Sequence, residues 1–226
     1  MTSTPAPSPA DAGRPAAHPR SARQRNRRGE GERLRAEIVA AAERLLADQP
    51  VDALSLRAVA REAGVSPPAL YLHFTDRRAL VWAVLEDRFA ELARRTAAAA
   101  DAAADQPALR RLRAWCLAYC RYGLAHPGHY RVLFESWNAQ LVELPLDQLP
   151  GHTLYQGLLA ALRDAGADEH NLRETATLLW AGLHGLTSLR INKPSFGWPP
   201  IDRLIDALLT RLIDTTPATR TPAAAH

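Results

Sequence analysis

The sequence has few of the residues that mark exported, membrane-bound or disulfide-rich proteins. Only two cysteines occur among its 226 residues, Cys116 and Cys120, and their spacing of four on one predicted helix suits a disulfide poorly. We therefore expect a reducing compartment. No apolar run is long enough to cross a bilayer, and the first thirty residues lack the apolar segment of a secretory signal. These absences predict a cytoplasmic protein without a membrane partner.

Signals for β-strands are nearly absent as well. Alternating apolar patterns and clusters of β-branched residues are both missing. From residue 32 onward, apolar side chains recur instead at the spacing of helices. There is no internal repeat of the kind that marks a solenoid, and the chain is long enough to bury a sizeable core. The sequence thus predicts an all-α protein.

Positive charge is concentrated at the beginning of the chain. Residues 1–31 are rich in proline, alanine and arginine, and six arginines precede Glu30 against a single acid, Asp11. We expect this segment to be disordered, either as an inert leader or as an arm that contacts DNA phosphates or a minor groove. Residues 215–226, rich in threonine, proline and alanine, are expected to form a second disordered segment.

The most informative stretch, residues 55–74, is predicted to form two short helices joined by a tight turn. A serine can cap each helix, Gly64 supplies the positive φ of the turn, and two prolines occupy the first turn of the second helix. Leu70 and Phe74, four residues apart, are predicted to point inward. The remaining side chains of the second helix then face outward or sideways. This pattern is a helix-turn-helix that presents its second helix to a partner.

The motif Tyr71-x-His73-Phe74-x-x-Arg77-x-x-Leu80 resembles the end of the DNA-binding domain of the tetracycline-repressor (TetR) family. Together with the helix-turn-helix, the resemblance covers residues 32–92. Arg77 stands where family members usually carry lysine, and either side chain can hold a phosphate. The paired prolines are less typical of the family.

A weaker resemblance concerns the stretch Trp180-Ala-Gly-Leu-His184-Gly185-Leu186, which is similar to the Trp/His/Gly signature of one TetR regulatory subgroup. The resemblance implies a three-helix DNA-binding domain at 32–92 and a larger helical domain at 93–214 for ligand binding and dimerisation. It also implies a homodimer that binds a palindromic operator on double-stranded DNA. Such a regulator needs no enzyme activity, cofactor or metal, and repression released by a small-molecule effector is the family default.

The helix-turn-helix supplies two kinds of expected DNA contact. Polar side chains would hold phosphates and set the register, whereas apolar side chains would contact thymine methyl groups. The expected phosphate contacts are Ser55, Ser66, Tyr71, His73 and Arg77, of which Tyr71 and His73 could instead pack between helices. The expected base contacts are Pro67, Pro68, Ala69 and Leu72.

The larger domain is rich in aromatic side chains. In TetR proteins such residues commonly line a pocket for an apolar or aromatic effector, although aromatics at helical spacing can equally be ordinary core. The residues assigned to the pocket are Trp115, Tyr119, Tyr122, Phe134, Trp137, Tyr155, Trp180 and His184.

Two apolar stripes near the end of the chain suggest a dimer interface. The first is spaced nearly as heptads, and Gly182 and Gly185 beside it would allow helices to approach closely. Intradomain core is the alternative interpretation. The assigned interface residues are Leu172, Ala176, Leu179, Leu183 and Leu186 in the first stripe, and Leu204, Leu208 and Leu212 in the second.

The cysteines and histidines of the chain allow two other functions. Cys116, Cys120, His126 and His129 could form a metal- or redox-responsive sensor. Alternatively, Cys116 with His126, His129 or His184 could provide a nucleophile and base, but no loop-borne nucleophile motif accompanies them. Both are weaker hypotheses than a DNA-binding regulator.

Overall fold

The computed structural model of the chain describes residues 29–134 and 145–213. These ranges contain helices and no strand, which confirms the predicted all-α class. None of these helices is long and apolar enough to cross a membrane. The α-helices described are α1 (Glu30–Asp48), α2 (Leu56–Glu62), α3 (Pro67–Tyr71), α4 (Arg77–Asp101), α5 (Ala108–Ala125), α6 (Pro127–Phe134), α7 (His152–Asp164), α8 (Leu172–Asn192) and α9 (Ile201–Ile213).

The two segments expected to be disordered fall almost entirely outside the described residues. Helix α1 nevertheless begins at Glu30, one residue before the predicted end of the first segment at residue 31. Glu30 and Glu32 lie in its first turn, where a carboxylate interacts favourably with the positive end of the helix dipole. The helix therefore starts slightly earlier than its apolar stripe indicated.

The turn between α2 and α3 has the conformation that the glycine predicted. Gly64 adopts φ +69°, and the N–H of Val65 donates to the carbonyl of Ala60 at 2.9 Å. This is the hydrogen bond of a helix end closed by a left-handed residue, which glycine adopts without steric cost. The turn fixes the direction in which α3 leaves α2.

A small core holds the helix-turn-helix together. Ile38 of α1, Val59 of α2 and Leu70 of α3 are fully buried, and Phe74 just after α3 is buried as well. The guanidinium of Arg35 lies over the Phe74 ring, 5.1 Å from its centre. The predicted inward direction of Leu70 and Phe74 is confirmed.

Helix α4 joins the helix-turn-helix to the rest of the chain without a linker. The carboxylate of Asp76 accepts a hydrogen bond from the N–H of Ala79 at 2.8 Å and caps the helix. Its 25 residues then extend through the alanine-rich run to Asp101, over about 37 Å. The domain boundary expected between residues 92 and 93 falls inside this helix, so α4 belongs to both halves of the molecule.

The remaining helices surround α5, which packs against α4, α7, α8 and α9. Gly123 allows α5 and α8 to approach closely, because a Cβ there would lie 2.4 Å from Thr187 Cγ2 of α8. Helix α6 starts at Pro127, because proline is compatible with the first helical position. Helix α8 starts at Leu172.

Candidate DNA-binding surface and ligand cavity

Helix α3 leaves most of its side chains outside because it is only five residues long. Leu70 is its one fully buried side chain, whereas Tyr71 is 52% exposed and Leu72, at its C-terminal cap, is 85% exposed. Pro67 and Pro68 are exposed as well. Covering the exposed leucine by a partner would remove apolar surface from water, which is favourable. The structure therefore places Tyr71 and Leu72 where a partner can reach them.

Ala69 and His73 are less accessible than their neighbours on α3. Both are partly buried, and of the side chains expected to contact bases Ala69 is the least exposed. The half-buried position of His73 is the one that packing between helices would give. No feature of the structure assigns either residue to DNA.

The two serines expected to contact phosphates serve as helix caps. Ser55 Oγ accepts a hydrogen bond from the N–H of Ala58 at 3.2 Å, and Ser66 Oγ accepts one from the N–H of Ala69 at 3.4 Å. A capping hydroxyl uses a lone pair, so its hydrogen is still free to be donated to a phosphate oxygen. Both serines are exposed. The capping role and the expected DNA contact are thus compatible.

Arg77 differs from the expectation because it is already engaged within the chain. Its Nη1 donates to the carbonyl oxygen of Asp52 at 2.7 Å, and Nη2 lies 3.7 Å from the Asp52 carboxylate. Arg77 therefore ties the start of α4 to the turn at Val51–Ala53. Part of its charge is offset by this carboxylate before any phosphate arrives.

Three other arginines near the helix-turn-helix were missed by the sequence interpretation. Arg57 lies in the first turn of α2, Arg61 in its last turn and Arg78 in the first turn of α4, and all three are exposed. None has an ion-pair or hydrogen-bond partner within the described residues. Their position next to the capped helix starts was the available sequence signal. They are the better candidates for phosphate contacts.

A cavity of about 460 Å³ lies in the larger half of the molecule, between α4, α5, α6, α7 and α8. Half of the residues assigned to the effector pocket line it, and Trp137 falls outside the described residues. The lining residues are Phe89, Trp115, Leu133, Phe134, Leu149, Gly151, His152, Leu154, Tyr155, Leu158, Thr177 and Trp180.

Three other residues assigned to the effector pocket, Tyr119, Tyr122 and His184, are not among the residues that line this cavity. Tyr119 is fully buried beside Trp115, and its hydroxyl lies 3.4 Å from that of Tyr130. The Tyr130 hydroxyl in turn lies 2.8 Å from His184 Nδ1. Tyr122 is buried apart from the cavity. Tyr119 and Tyr122 belong to the core behind the cavity wall, whereas His184 is partly buried beside Phe134 of that wall, with ring centres 5.1 Å apart.

The first stripe assigned to the dimer interface is also placed differently. Leu172, Ala176, Leu179 and Leu183 are buried within the chain, so that none of them is accessible to a second subunit. Intradomain core, the alternative interpretation, is correct for these four residues. Leu186 is partly buried.

The outer face of α8 carries different residues. Leu178 and Leu189 are each 51% exposed, and a Cβ on Gly185 would meet no atom within 4 Å. Gly182 does allow a close approach, but to Leu208 of α9 in the same chain. The second stripe keeps some exposure, because Leu204, Leu208 and Leu212 are only partly buried.

The cysteines and histidines do not come together as a sensor would require. Cys116 and Cys120 are free thiols in the core, and burial raises the pKa of Cys120 to about 11 and that of Cys116 further. His126 and His129 stack on each other, with ring centres 5.2 Å apart. In the two described ranges, no group of three or more potential ligands could hold a metal ion. The sensor hypothesis gains no support.

A cluster of charged groups lies where the two halves of the molecule meet. Arg88 of α4 pairs with Glu43 of α1 and with Glu91, although Arg88 Nε and Glu43 Oε1 are not aligned for a hydrogen bond. Burial raises the pKa of the Glu43 carboxyl despite the opposing effect of Arg88. Burial and, secondarily, the charge of Arg88 lower the pKa of His129 on α6. The junction therefore combines charge with partial burial.

Helices α1 and α6 are in direct contact near the same junction. A Cβ on Gly128 would lie 3.0 Å from Ala47 Cα, and Arg131 donates a hydrogen bond to the Ala47 carbonyl at 2.9 Å. Helix α6 carries Leu133 and Phe134 of the cavity wall only one turn later. The cavity is thus connected to the helix-turn-helix through α6 and α1 as well as along α4.

Comparison with known families gives two matches to this chain. The family model described as "Bacterial regulatory proteins, tetR family" matches residues 38–84. The model described as "Tetracyclin repressor-like, C-terminal domain" matches residues 112–216. No curated protein matches the sequence. The two matched segments contain the helix-turn-helix and most of the cavity wall.

Solved structures resemble this chain over most of its length. A protein with unknown function from Rhodococcus sp. RHA1 is 30% identical, and the match covers 80% of this chain and 94% of that one with a TM-score of 0.62. The multidrug binding protein EbrR complexed with imidazole is 24% identical over 82% and 97%, with a TM-score of 0.61. A TetR-like transcriptional regulator from Rhodococcus sp. RHA1 is 18% identical over 79% and 93%, with a TM-score of 0.60.

Proposed function

Because this chain belongs to the TetR family of transcription regulators, we propose that it is a homodimeric repressor released from its operator by a small apolar or aromatic effector. Regulators of this family bind DNA and are not enzymes. The operator, the direction of regulation, the dimer and the effector class are our proposals. If the operator lies in the genome, the protein would act in the cytoplasm.

The observation that carries the DNA-binding role is the exposed apolar end of α3. Leu72 and Tyr71 project from a helix whose position is fixed by Leu70 underneath. Because Leu72, Pro67 and Pro68 have no hydrogen-bonding side chains, they would contact thymine methyl groups rather than purine edges. Phosphate contacts from Arg57, Arg61 and Arg78 would then supply much of the affinity.

The proposed dimer uses the outer face of α8 together with α9. Leu178 and Leu189 provide exposed apolar area on α8, and the open surface over Gly185 permits a second helix to come close. Leu208 and Leu212 extend the same apolar surface along α9. Two subunits related by a twofold axis would present two copies of α3 to successive major grooves, ~34–36 Å or somewhat more apart.

The proposed effector site is the cavity beside α4. Phe89 of its wall lies on α4 twelve residues after Arg77, about 18 Å along the helix axis. A molecule that pushes Phe89 or Phe134 would therefore shift either α4 or the α6–α1 contact, both of which position α3. Release follows if the effector binds more tightly to the shifted state than to the DNA-bound state.

The test is a genome-wide binding footprint with the purified full-length chain, followed by titration of the recovered DNA. We expect a palindromic site, a stoichiometry of one dimer per site, and loss of binding with an aspartate at Leu72. Leu109→Asp is the matched control, since Leu109 is an exposed leucine on α5. Equal loss in both variants, or binding without any preferred sequence, would contradict the role given to α3.

Repression is tested separately with the recovered operator placed between a promoter and a reporter. Expression of the chain should lower reporter output, and a compound that releases the operator in vitro should restore it. An increase in reporter output on expression would show activation instead. Purified protein that sediments as a monomer at micromolar concentration would contradict the dimer.

A further inference from the structure

The wall of the effector cavity is uncharged and rich in aromatic side chains. No aspartate, glutamate, lysine or arginine side chain is among its twelve lining residues. Five of the twelve are aromatic: Phe89, Trp115, Phe134, Tyr155 and Trp180. A flat apolar body therefore fits the wall, and a cationic ligand would find no carboxylate to compensate for its desolvation.

One end of this cavity is nevertheless polar. His152 lines it, and His152 Nδ1 is buried without a hydrogen-bond partner. A buried polar atom of this kind costs free energy unless something pairs with it. His152 also lines a neighbouring cavity of about 680 Å³, whose charged residues Glu86, Arg94 and Asp147 are exposed to solvent. The imidazole thus lies where the two cavities meet.

The backbone at the same end adds hydrogen-bond donors. His152 is the first residue of α7, the residue before it is Gly151, and no side chain caps this helix. The N–H groups of Thr153 and Leu154 have no acceptor within the described residues, whereas the N–H of Tyr155 donates to Gly151. Gly151 and Leu154 line the cavity with His152. The unpartnered Nδ1 of His152 can donate a hydrogen bond to an acceptor, and the start of a 13-residue helix favours an acceptor of negative charge.

We propose that the effector is an aromatic monocarboxylate, with its ring system in the 460 Å³ cavity and its carboxylate against His152 at the polar end. This inference rests on the proposed function, because it names the ligand class of the same effector site. His152 is the residue that gives the site its preference for an acid. The aromatic wall determines size and shape and does not distinguish an acid from its amide.

Three probes of nearly equal size separate the possibilities: 1-naphthaleneacetic acid, its amide, and 2-(1-naphthyl)ethylamine. Their dissociation constants are measured by isothermal titration calorimetry on the full-length protein. We expect the acid to bind at least ~10-fold more tightly than the amide and the amine. The ring systems are alike, so the preference reports the polar end of the site.

Two variants locate the preference. His152→Phe should remove the ~10-fold advantage of the acid while the affinity for the amide stays within about twofold. His170→Phe is the matched control, because His170 is exposed in the segment between α7 and α8 and lines no part of the cavity. Thr177→Phe places a larger side chain on the cavity wall and should weaken all three probes. Circular dichroism checks that each variant is folded.

Equal or tighter binding of the amine or the amide would overturn the proposal. So would an acid preference that survives His152→Phe, or no binding of any probe at millimolar concentration. Operator binding is titrated on the same preparations without any probe. A protein that binds its operator but shows no acid preference would therefore refute the ligand class and leave the DNA-binding function standing.

Discussion

The short helix α3 and the long helix α8 both expose leucine side chains, but for different reasons. Helix α3 has five residues and can bury only Leu70, so Leu72 is left outside whatever the rest of the protein does. Helix α8 has apolar residues on several of its faces, and its neighbours decide which of them are covered. Exposure in α3 is a local property, whereas exposure in α8 is a property of the packed molecule.

This difference explains which side chains were predicted on the face where the structure places them. The inward residues of the helix-turn-helix follow from the caps, the glycine and a spacing of four, all of which act within twenty residues. In α8 the near-heptad stripe from Leu172 to Leu183 has the pattern of an interface, but that pattern is also the pattern of a buried helix face. Contact with α5 and α7 buries it. Leu178 and Leu189 remain exposed.

The neighbouring residues Leu178 and Leu179 provide the strongest test of this comparison. Leu179→Ala should lower the free energy of unfolding by roughly 2–5 kcal/mol, because it leaves a cavity in the core. Leu178→Asp should leave the helix content unchanged and raise the dissociation constant of the dimer on the order of 100-fold, because it buries a charge at the interface. Urea denaturation at fixed protein concentration and sedimentation equilibrium measure the two effects. A dimer that survives Leu178→Asp would place the interface elsewhere.

The contact proposed for Leu72 can be tested from both sides. Leu72→Ala should weaken operator binding about fivefold per subunit without changing the melting temperature, because the lost contact is about one methyl group in size. Uracil in place of the contacted thymine removes only the methyl group from the DNA. The wild-type protein should bind the uracil operator more weakly than the thymine operator, whereas the Leu72→Ala variant should bind both operators with the same affinity. Fluorescence anisotropy titrations measure these affinities, and additive losses would show that Leu72 and the thymine methyl group are not in contact.

Arg77 and Arg78 are adjacent but held differently. Arg78→Ala should flatten the dependence of log K on log salt by about 0.9 for each subunit, with equal loss on every DNA sequence, because the contact proposed for Arg78 is a DNA phosphate. Arg77→Ala should also lower the melting temperature, since it breaks the contact with Asp52. Salt titrations combined with thermal melts distinguish them. A base-specific loss in Arg78→Ala would contradict the phosphate role.

The smallest expected effect concerns the junction between the two regions. Because the pKa of His129 is lowered in the folded protein, the unfolded chain takes up a proton first as the pH falls below about 6.5. Stability should therefore decrease between pH 7.5 and 5.5 and level off below the folded pKa. Glu43, whose pKa is raised, opposes this trend because the folded state protonates first. His129→Phe should flatten the curve of melting temperature against pH, and the exposed His170→Ala should not.

The cavity shows where sequence patterns stop being informative. Trp115, Phe134, Tyr155 and Trp180 line it as the sequence predicted, whereas Tyr119, assigned together with them, has its hydroxyl near that of Tyr130 in the core. The residue type alone does not show whether an aromatic side chain lines the cavity or packs in the core behind it. Only the position of α7 reveals that His152, at a helix start, faces the space between these rings.

The amino-acid sequence by itself determined the helical class, the capped helix-turn-helix and the exposure of Leu72, because hydrogen bonds and side chains within a few residues fix them. The tertiary structure alone decided which face of α8 is covered, which aromatic residues surround a cavity, and that Arg77 is bound to Asp52. These features depend on segments distant in the chain that come together only on packing. A repeating pattern states that a face is apolar, and the neighbouring helices decide what covers it.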